Sequence, residues 1–259
     1  MFHNVVRAVT TVAALGLTAT LAACDSGSVS FNGEKGVPLD KLDRSGPAPT
    51  AIALLGPDRV RVVRGDSLAI SVEGEGAERL RFALGKGQLG IAREGWKIGQ
   101  ETRPATVTVT LPALRELVLA GSGEIIADEL RGEEAKIVIA GTGLVEARAI
   151  DAGKLGIDVV GSGTLRAAGK ARTLDMTVAG SGDAEMDGLA VDEAKVDVAG
   201  SGRSRFASNG TVKASIMGSG EVRVFGRATC KISAMGSGKL ICENGVADEA
   251  AATPAAAGK

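Results

Sequence analysis

One tripeptide recurs seven times in the second half of the chain: Gly, then Ser or Thr, then Gly. The copies begin at Gly121, Gly141, Gly161, Gly180, Gly200, Gly218 and Gly236, at intervals of 20, 20, 19, 20, 18 and 18 residues. A fixed period of this size marks a solenoid, in which each repeat is a supersecondary unit that cannot bury its apolar face without its neighbours.

Alignment on the central hydroxyl residue shows what each repeat is. Three residues before it stand Leu119, Ile139, Val159, Val178, Val198, Ile216 and Ala234; five before it stand Leu117, Ile137, Ile157, Met176, Val196, Ala214 and Ile232. The positions between are mostly polar in the later copies: Asp158, Thr177, Asp197, Ser215 and Ser233. After the tripeptide the same alternation resumes at Ile125, Val145, Leu165, Ala184, Ser204, Val222 and Leu240, and again at Ala127, Ala147, Ala167, Met186, Phe206, Val224 and Cys242. A period of two is a strand with one buried face. Each copy therefore predicts strand, corner, strand. The corners are the pairs Gly121 and Gly123, Gly141 and Gly143, Gly161 and Gly163, Gly180 and Gly182, Gly200 and Gly202, Gly218 and Gly220, and Gly236 and Gly238. A second corner is expected near Gly132, Gly153, Gly169, Gly188, Gly210 and Gly226. Two strands and two corners in about 19 residues describe one rung of a flattened parallel β-helix, an all-β solenoid.

Outward positions carry a second regularity. Glu146, Arg166, Glu185 and Arg205 occupy one equivalent site in consecutive copies, and Asp183, Arg203, Glu221 and Lys239 occupy another. In-register stacking puts equivalent residues about 4.8 Å apart, where alternating signs attract. An antiparallel meander would not require that alternation.

The N-terminus reads as a processing signal. Arg7 precedes an apolar run from Ala8 to Ala22, short of the roughly 20 residues a membrane-spanning helix needs and suited to a secretory h-region. It ends in Leu21-Ala22-Ala23-Cys24, which resembles a bacterial lipobox; on that resemblance Cys24 receives diacylglycerol and becomes the mature N-terminus. The chain divides into a signal peptide (1–23), a Gly- and Pro-bearing flexible tether (24–50), a strand-rich lead-in (51–114), the regular repeats (115–245) and a disordered Ala-rich tail (246–259). Within the lead-in, Val60–Val63, Leu68–Val72, Leu80–Leu84 and Val107–Leu111 read as strands that cap the solenoid and continue its sheets.

Composition removes whole classes of function. The only histidine is His3, inside the signal segment, so the mature protein lacks histidine acid–base catalysis, Ser-His-Asp and Cys-His nucleophiles and histidine metal sites. There is no Tyr, Trp96 is the only Trp, and the formal net charge is −1, so neither stacking platforms nor a basic footprint for nucleic acid is present. With Cys24 acylated, Cys230 and Cys242 are the only thiols. Both lie at odd offsets from Ser237, seven before and five after, which turns both side chains inward on the last rung and predicts a disulfide in an oxidising compartment.

The order lipobox, tether, "DRVRVVRGDSLAISVEG", then "TVTVTLPALRELVLAGSGEI" and repeated "AGSG" strands resembles the bacterial auto-transporter adhesin head GIN domain family, over about Ile52 to Glu243. Its most specific part is the step from Leu111-Pro112 and Leu114 into Val118–Gly123. The resemblance implies a right-handed β-helix and adhesion or surface roles, and carries over no catalytic residue.

Other sites weigh less. Phosphate loops lead into a helix, whereas every Gly-Ser-Gly here leads into a strand. Calcium-binding β-rolls repeat an Asp, but Arg203 and Lys239 fall at the equivalent position. Asp128, Glu129, Glu133 and Glu134 read as a solvated turn rather than a glycosidase site, and Trp96 as a cap over apolar surface. The expectation is a non-catalytic scaffold without metal or cofactor, lipid-anchored in the bacterial envelope and contacting membrane, envelope proteins or surface glycans. The alternative is a carbohydrate-active β-helix enzyme, which would show a cleft of converging carboxylates.

Overall fold

The computed structural model describes residues 30–31, 33–97, 103–243 and the strand at 246–249. The chain opens with β1 (Ser30–Phe31), β2 (Glu34–Lys35), β3 (Ala51–Leu55), β4 (Arg59–Arg64), β5 (Ala69–Glu73), β6 (Leu80–Gly85), β7 (Gln88–Arg93) and β8 (Thr106–Leu111). It continues through β9 (Glu116–Gly121), β10 (Glu124–Ala127), β11 (Leu130–Gly141), β12 (Leu144–Gly161), β13 (Thr164–Gly180) and β14 (Asp183–Gly200). The last strands are β15 (Arg203–Ser208), β16 (Thr211–Gly218), β17 (Glu221–Phe225), β18 (Thr229–Gly236), β19 (Lys239–Cys242) and β20 (Val246–Glu249).

These strands stack as a parallel β-solenoid. The segments before each tripeptide pair in register along one face, from β9 through β11, β12, β13, β14, β16 and β18 to β20. The segments after it pair along the other, from β10 through β12, β13, β14, β15 and β17 to β19. The periodic apolar positions meet between the faces: Leu117, Leu119, Ile137, Ile139, Ile157, Val159, Met176 and Val178 are buried, as are Ile125, Val145, Leu165, Met186 and Phe206. Ser204 stands in one of these inward columns, and its buried hydroxyl has no partner among the described residues.

The two glycines of a corner do different work. The first of each pair has φ between 110° and 127°, a conformation that a Cβ disfavours. The second leaves room for the rung before: a Cβ on Gly182 would lie 2.6 Å from Val159 Cγ1 and 2.9 Å from the Gly163 carbonyl. Backbone bonds run through the corners from rung to rung, with Ser181 N donating to Gly161 O and Ser201 N to Gly180 O, both at 2.9 Å.

The second corner is wider than a single glycine bend. β11 to β14 run through it as continuous strands with register shifts, and only Gly132, Gly169 and Gly226 of the expected glycines have left-handed φ. A short third side results. Leu130, Ile150, Gly169 and Leu189 align there, as do Asp151, Lys170, Ala190 and Ala207. Beyond β14 the chain turns tightly at Ser208–Gly210, matching the shortened repeat interval of 18 residues.

The lead-in joins the same stack out of sequence order. β3 and β4 form a rung that sits between β7–β8 on one side and β9–β10 on the other. β5 and β6 pair antiparallel with β8 and β7 and cover that end of both faces. Part of the segment read as tether is folded against it: Val37 exchanges backbone bonds of 2.9 and 2.8 Å with Phe82, and Leu39 and Leu42 pack on the core. Covering an edge in this way removes a template for unwanted strand pairing. At the other end β20 pairs with β18 where the sequence predicts a disordered tail.

Candidate functional site

Three outward features run along the solenoid axis. The first is a column of exposed hydroxyls, Ser122, Thr142, Ser162, Ser181, Ser201, Ser219 and Ser237, one per rung at about 4.8 Å intervals. Beside it run the outward residues Val160, Met217 and Met235, the last 60% exposed. The register that aligns the glycines also aligns these side chains, so the surface repeats with the fold.

The second feature is the charged ladders. Glu146, Arg166, Glu185 and Arg205 are paired in register, as are Asp183, Arg203, Glu221 and Lys239. Arg203 reaches across one rung to hold both oxygens of Asp183 at 3.0 Å, and this hydrogen bonding raises its pKa, with the negative charge adding to the effect. Arg166 Nε lies 3.0 Å from Glu185 Oε2, and Arg205 approaches the other Glu185 oxygen at 3.6 Å. Two acids choose partners within their own strand instead: Glu146 binds Arg148 at 2.7 Å and Glu221 binds Arg223 at 3.2 Å. Residues i and i+2 of a strand share a face, so a long arginine reaches either neighbour.

The carboxylates of the acidic turn do not converge on an open centre. Glu129 is held by Arg64 and Arg131 at 3.1 and 2.7 Å, Asp128 by Arg148 at 3.3 Å and Glu133 by Arg172 at 2.6 Å. Among the described residues no group of three His, Cys, Asp or Glu side chains could hold a metal ion. No helix among them is long and apolar enough to cross a membrane.

The third feature is an open groove of about 370 Å³ on the short third side. A smaller cavity of about 130 Å³ sits where Pro112 and Leu114 turn from β8 into β9.

Two further residues singled out in the sequence are placed by the structure. The Trp96 ring lies over the first-corner stack at its β3–β4 end, with Cη2 3.1 Å from where a Gly121 Cβ would begin. Cys230 and Cys242 are joined as a disulfide linking β18 to β19, with Cα atoms 6.7 Å apart. Cys24, the signal segment and most of the tail lie outside the described residues. What sequence reasoning missed is the buried pair Asp58 and Arg93. The one signal for it is an aspartate where later rungs place the second glycine of the first corner, as at Gly123, visible only once β3–β4 is recognised as a rung.

Comparison with known proteins decides the family. The model of the family described as "Putative auto-transporter adhesin, head GIN domain" matches residues 48–228. The chain belongs to that family. The match takes in the lead-in and most of the repeats and stops before the disulfide-bearing rung. Among solved structures, the head GIN domain here is similar to a protein described as a putative adhesin from Bacteroides fragilis, with a TM-score of 0.70 at 18% identity over 76% of this chain and 93% of that one. It is also similar to a protein described as a putative lipid-binding protein from Parabacteroides distasonis (TM-score 0.58, 21% identity, 76% and 94% covered). A third, described as a putative adhesin from Parabacteroides merdae, gives a TM-score of 0.55 at 22% identity, with 82% and 97% covered. At these identities the likeness concerns the fold. No curated protein matches the sequence.

Proposed function

We propose that the protein is a non-catalytic binding scaffold of the bacterial cell envelope, tethered to the membrane by lipid on Cys24 and presenting its repetitive faces to envelope proteins or surface glycans. The observation that carries this reading is the uniformity of the outward ladders. Most of their charges pair with neighbours on the same or the next rung, and three acids of the acidic turn, Asp128, Glu129 and Glu133, are held by arginines. A hydrolase or lyase of this fold needs instead an acid–base pair left open to substrate. The adhesin description of the family and of two structural neighbours supports the same direction.

The test has two parts. Metabolic labelling with a fatty acid should label the wild-type protein, and Cys24→Ser should abolish both the label and membrane fractionation; a Ser variant that still carries label overturns the anchor. Purified protein should retain solubilised envelope material on a column while releasing no reducing sugar from envelope polysaccharide. Sustained turnover, or no retention, overturns the scaffold reading.

A further inference from the structure

The short third side carries a groove that the repeat pattern does not require. Its outward column runs Asp151, Lys170, Ala190, Ala207, Phe225 over five successive rungs in register. Five rungs set four spacings, about 19 Å in all. The depression exists because the middle of that column is alanine, between lysine at one end and a half-buried phenylalanine at the other. Along one wall stand Arg172, Asp192 and Asn209.

Three properties limit what this groove can take. The strands of its floor are paired with neighbouring rungs on both sides, so an extended peptide finds no backbone donors or acceptors there to add to. Charge is balanced, with Lys170 and Arg172 against Asp151 and Asp192, which disfavours an anionic membrane surface. Hydrogen-bonding capacity is left over. Asn209 spends its Oδ1 on Arg227 N at 3.1 Å, its amide nitrogen donates to no described residue, and the Asp192 carboxylate has no partner among the described residues. Lys170 keeps Asp151 only at 3.7 Å. A ligand made of neutral pyranose units matches all three. It offers hydroxyls that donate and accept by turns, a C–H face for Phe225, and a linear shape along the axis.

We propose that this groove is a binding site for a linear oligosaccharide, with Asp192, Asn209 and Lys170 taking hydroxyl groups and Phe225 stacking under one ring. The proposal rests on the scaffold reading above and names its ligand class. The test measures binding of the full chain to arrays of neutral hexose, N-acetylhexosamine and uronate oligomers, with extended peptides and anionic phospholipid vesicles as competing classes. Wild type should bind a neutral or N-acetylated oligomer. Asp192→Asn and Phe225→Ala should each weaken that binding at least tenfold. Ala190→Leu fills the floor from an exposed position that the fold does not use, and should abolish binding without moving the unfolding midpoint; Asp66→Asn, at an exposed position in the turn between β4 and β5, should change nothing. No oligosaccharide binding, binding undiminished by Ala190→Leu, or peptide or vesicle binding at the groove overturns the proposal. Loss of oligosaccharide binding by wild type with envelope retention intact rejects the groove alone, whereas loss of envelope retention rejects the scaffold reading beneath it.

Discussion

Asp58 and Arg93 form an ion pair inside the protein, with side chains 0% and 4% exposed. The guanidinium Nε lies 3.0 Å from Asp58 Oδ2, and Nη2 bonds Oδ1. The carboxylate also accepts the backbone N–H of Ala105 at 2.8 Å, and Arg93 Nη1 reaches the Gly76 carbonyl at 3.3 Å. The hydrogen bonds to Asp58 raise the Arg93 pKa, against the opposing effect of burial. Asp58 lies between β3 and β4, Arg93 ends β7, and Ala105 immediately precedes β8. One carboxylate therefore ties the corner of the out-of-order rung to the end of β7 and the start of β8, the two strands of the rung it stacks on.

Removing one member of this pair leaves a buried charge without its partner. Arg93→Met or Asp58→Asn should each cost about 3–5 kcal/mol in urea unfolding, since each leaves one buried group without its charged partner. The double variant Asp58→Asn/Arg93→Met should cost clearly less than the sum, because no uncompensated charge remains and the amide oxygen still accepts from Ala105. Additive losses would show that the pair is not coupled.

Corner glycines should differ sharply from other glycines. Gly180→Ala meets an unfavourable φ of +121°, and Gly182→Ala meets Val159 and the Gly163 carbonyl, so each should lose about 1–3 kcal/mol. Gly156 is the control. A Cβ there finds its nearest neighbours at 3.8 and 3.9 Å, so Gly156→Ala should be neutral or stabilising by up to about 1 kcal/mol. Thermal unfolding of the three variants in parallel checks the ordering.

The ladders are exposed, so each pair contributes little. Arg166→Glu exchanges the 3.0 Å contact with Glu185 for a repulsion and should destabilise by about 0.5–1 kcal/mol. Adding Glu185→Arg should restore part of the loss, limited by the new repulsion with Arg205 on the next rung. A double-mutant cycle with zero coupling would contradict in-register pairing at this position. High salt should shrink the coupling.

The disulfide closes a sequence separation of 12 residues on the last described rung of paired faces, where Ile232 and Leu240 are only partly buried. Chain-entropy reasoning for such a loop gives about 2–3 kcal/mol. Reduction should therefore lower the protection of amides in 229–243 against hydrogen exchange while leaving β11 to β14 unchanged. Mass spectrometry of non-reduced protein should find no free thiol in the mature polypeptide.

Much of this architecture is written in the chain itself. A two-residue period decides which side chains face inward, so Ile137, Val159 and Met176 could be assigned to the core before any coordinates. The recurrence of Gly-x-Gly locates the first corners, because few residues tolerate both that backbone and that close approach. The parity of Cys230 and Cys242 about Ser237 turns both inward.

Tertiary structure decided what periodicity leaves degenerate. Parallel rungs with similar apolar columns can stack in several orders, and nothing in the alternation of β3, β4, β7 and β8 says which rung lies outermost; the contacts of Asp58 with Arg93 and Ala105 supply that choice. Ladder charges can pair across rungs or along a strand, and Glu146 took Arg148 because side-chain reach, rather than sign, selects the partner. The third side arises where register shifts widen the bend, and its groove lies along an outward column that includes Ala190 and Ala207. A one-dimensional pattern specifies facing, whereas stacking order and surface shape depend on which rungs become neighbours in space.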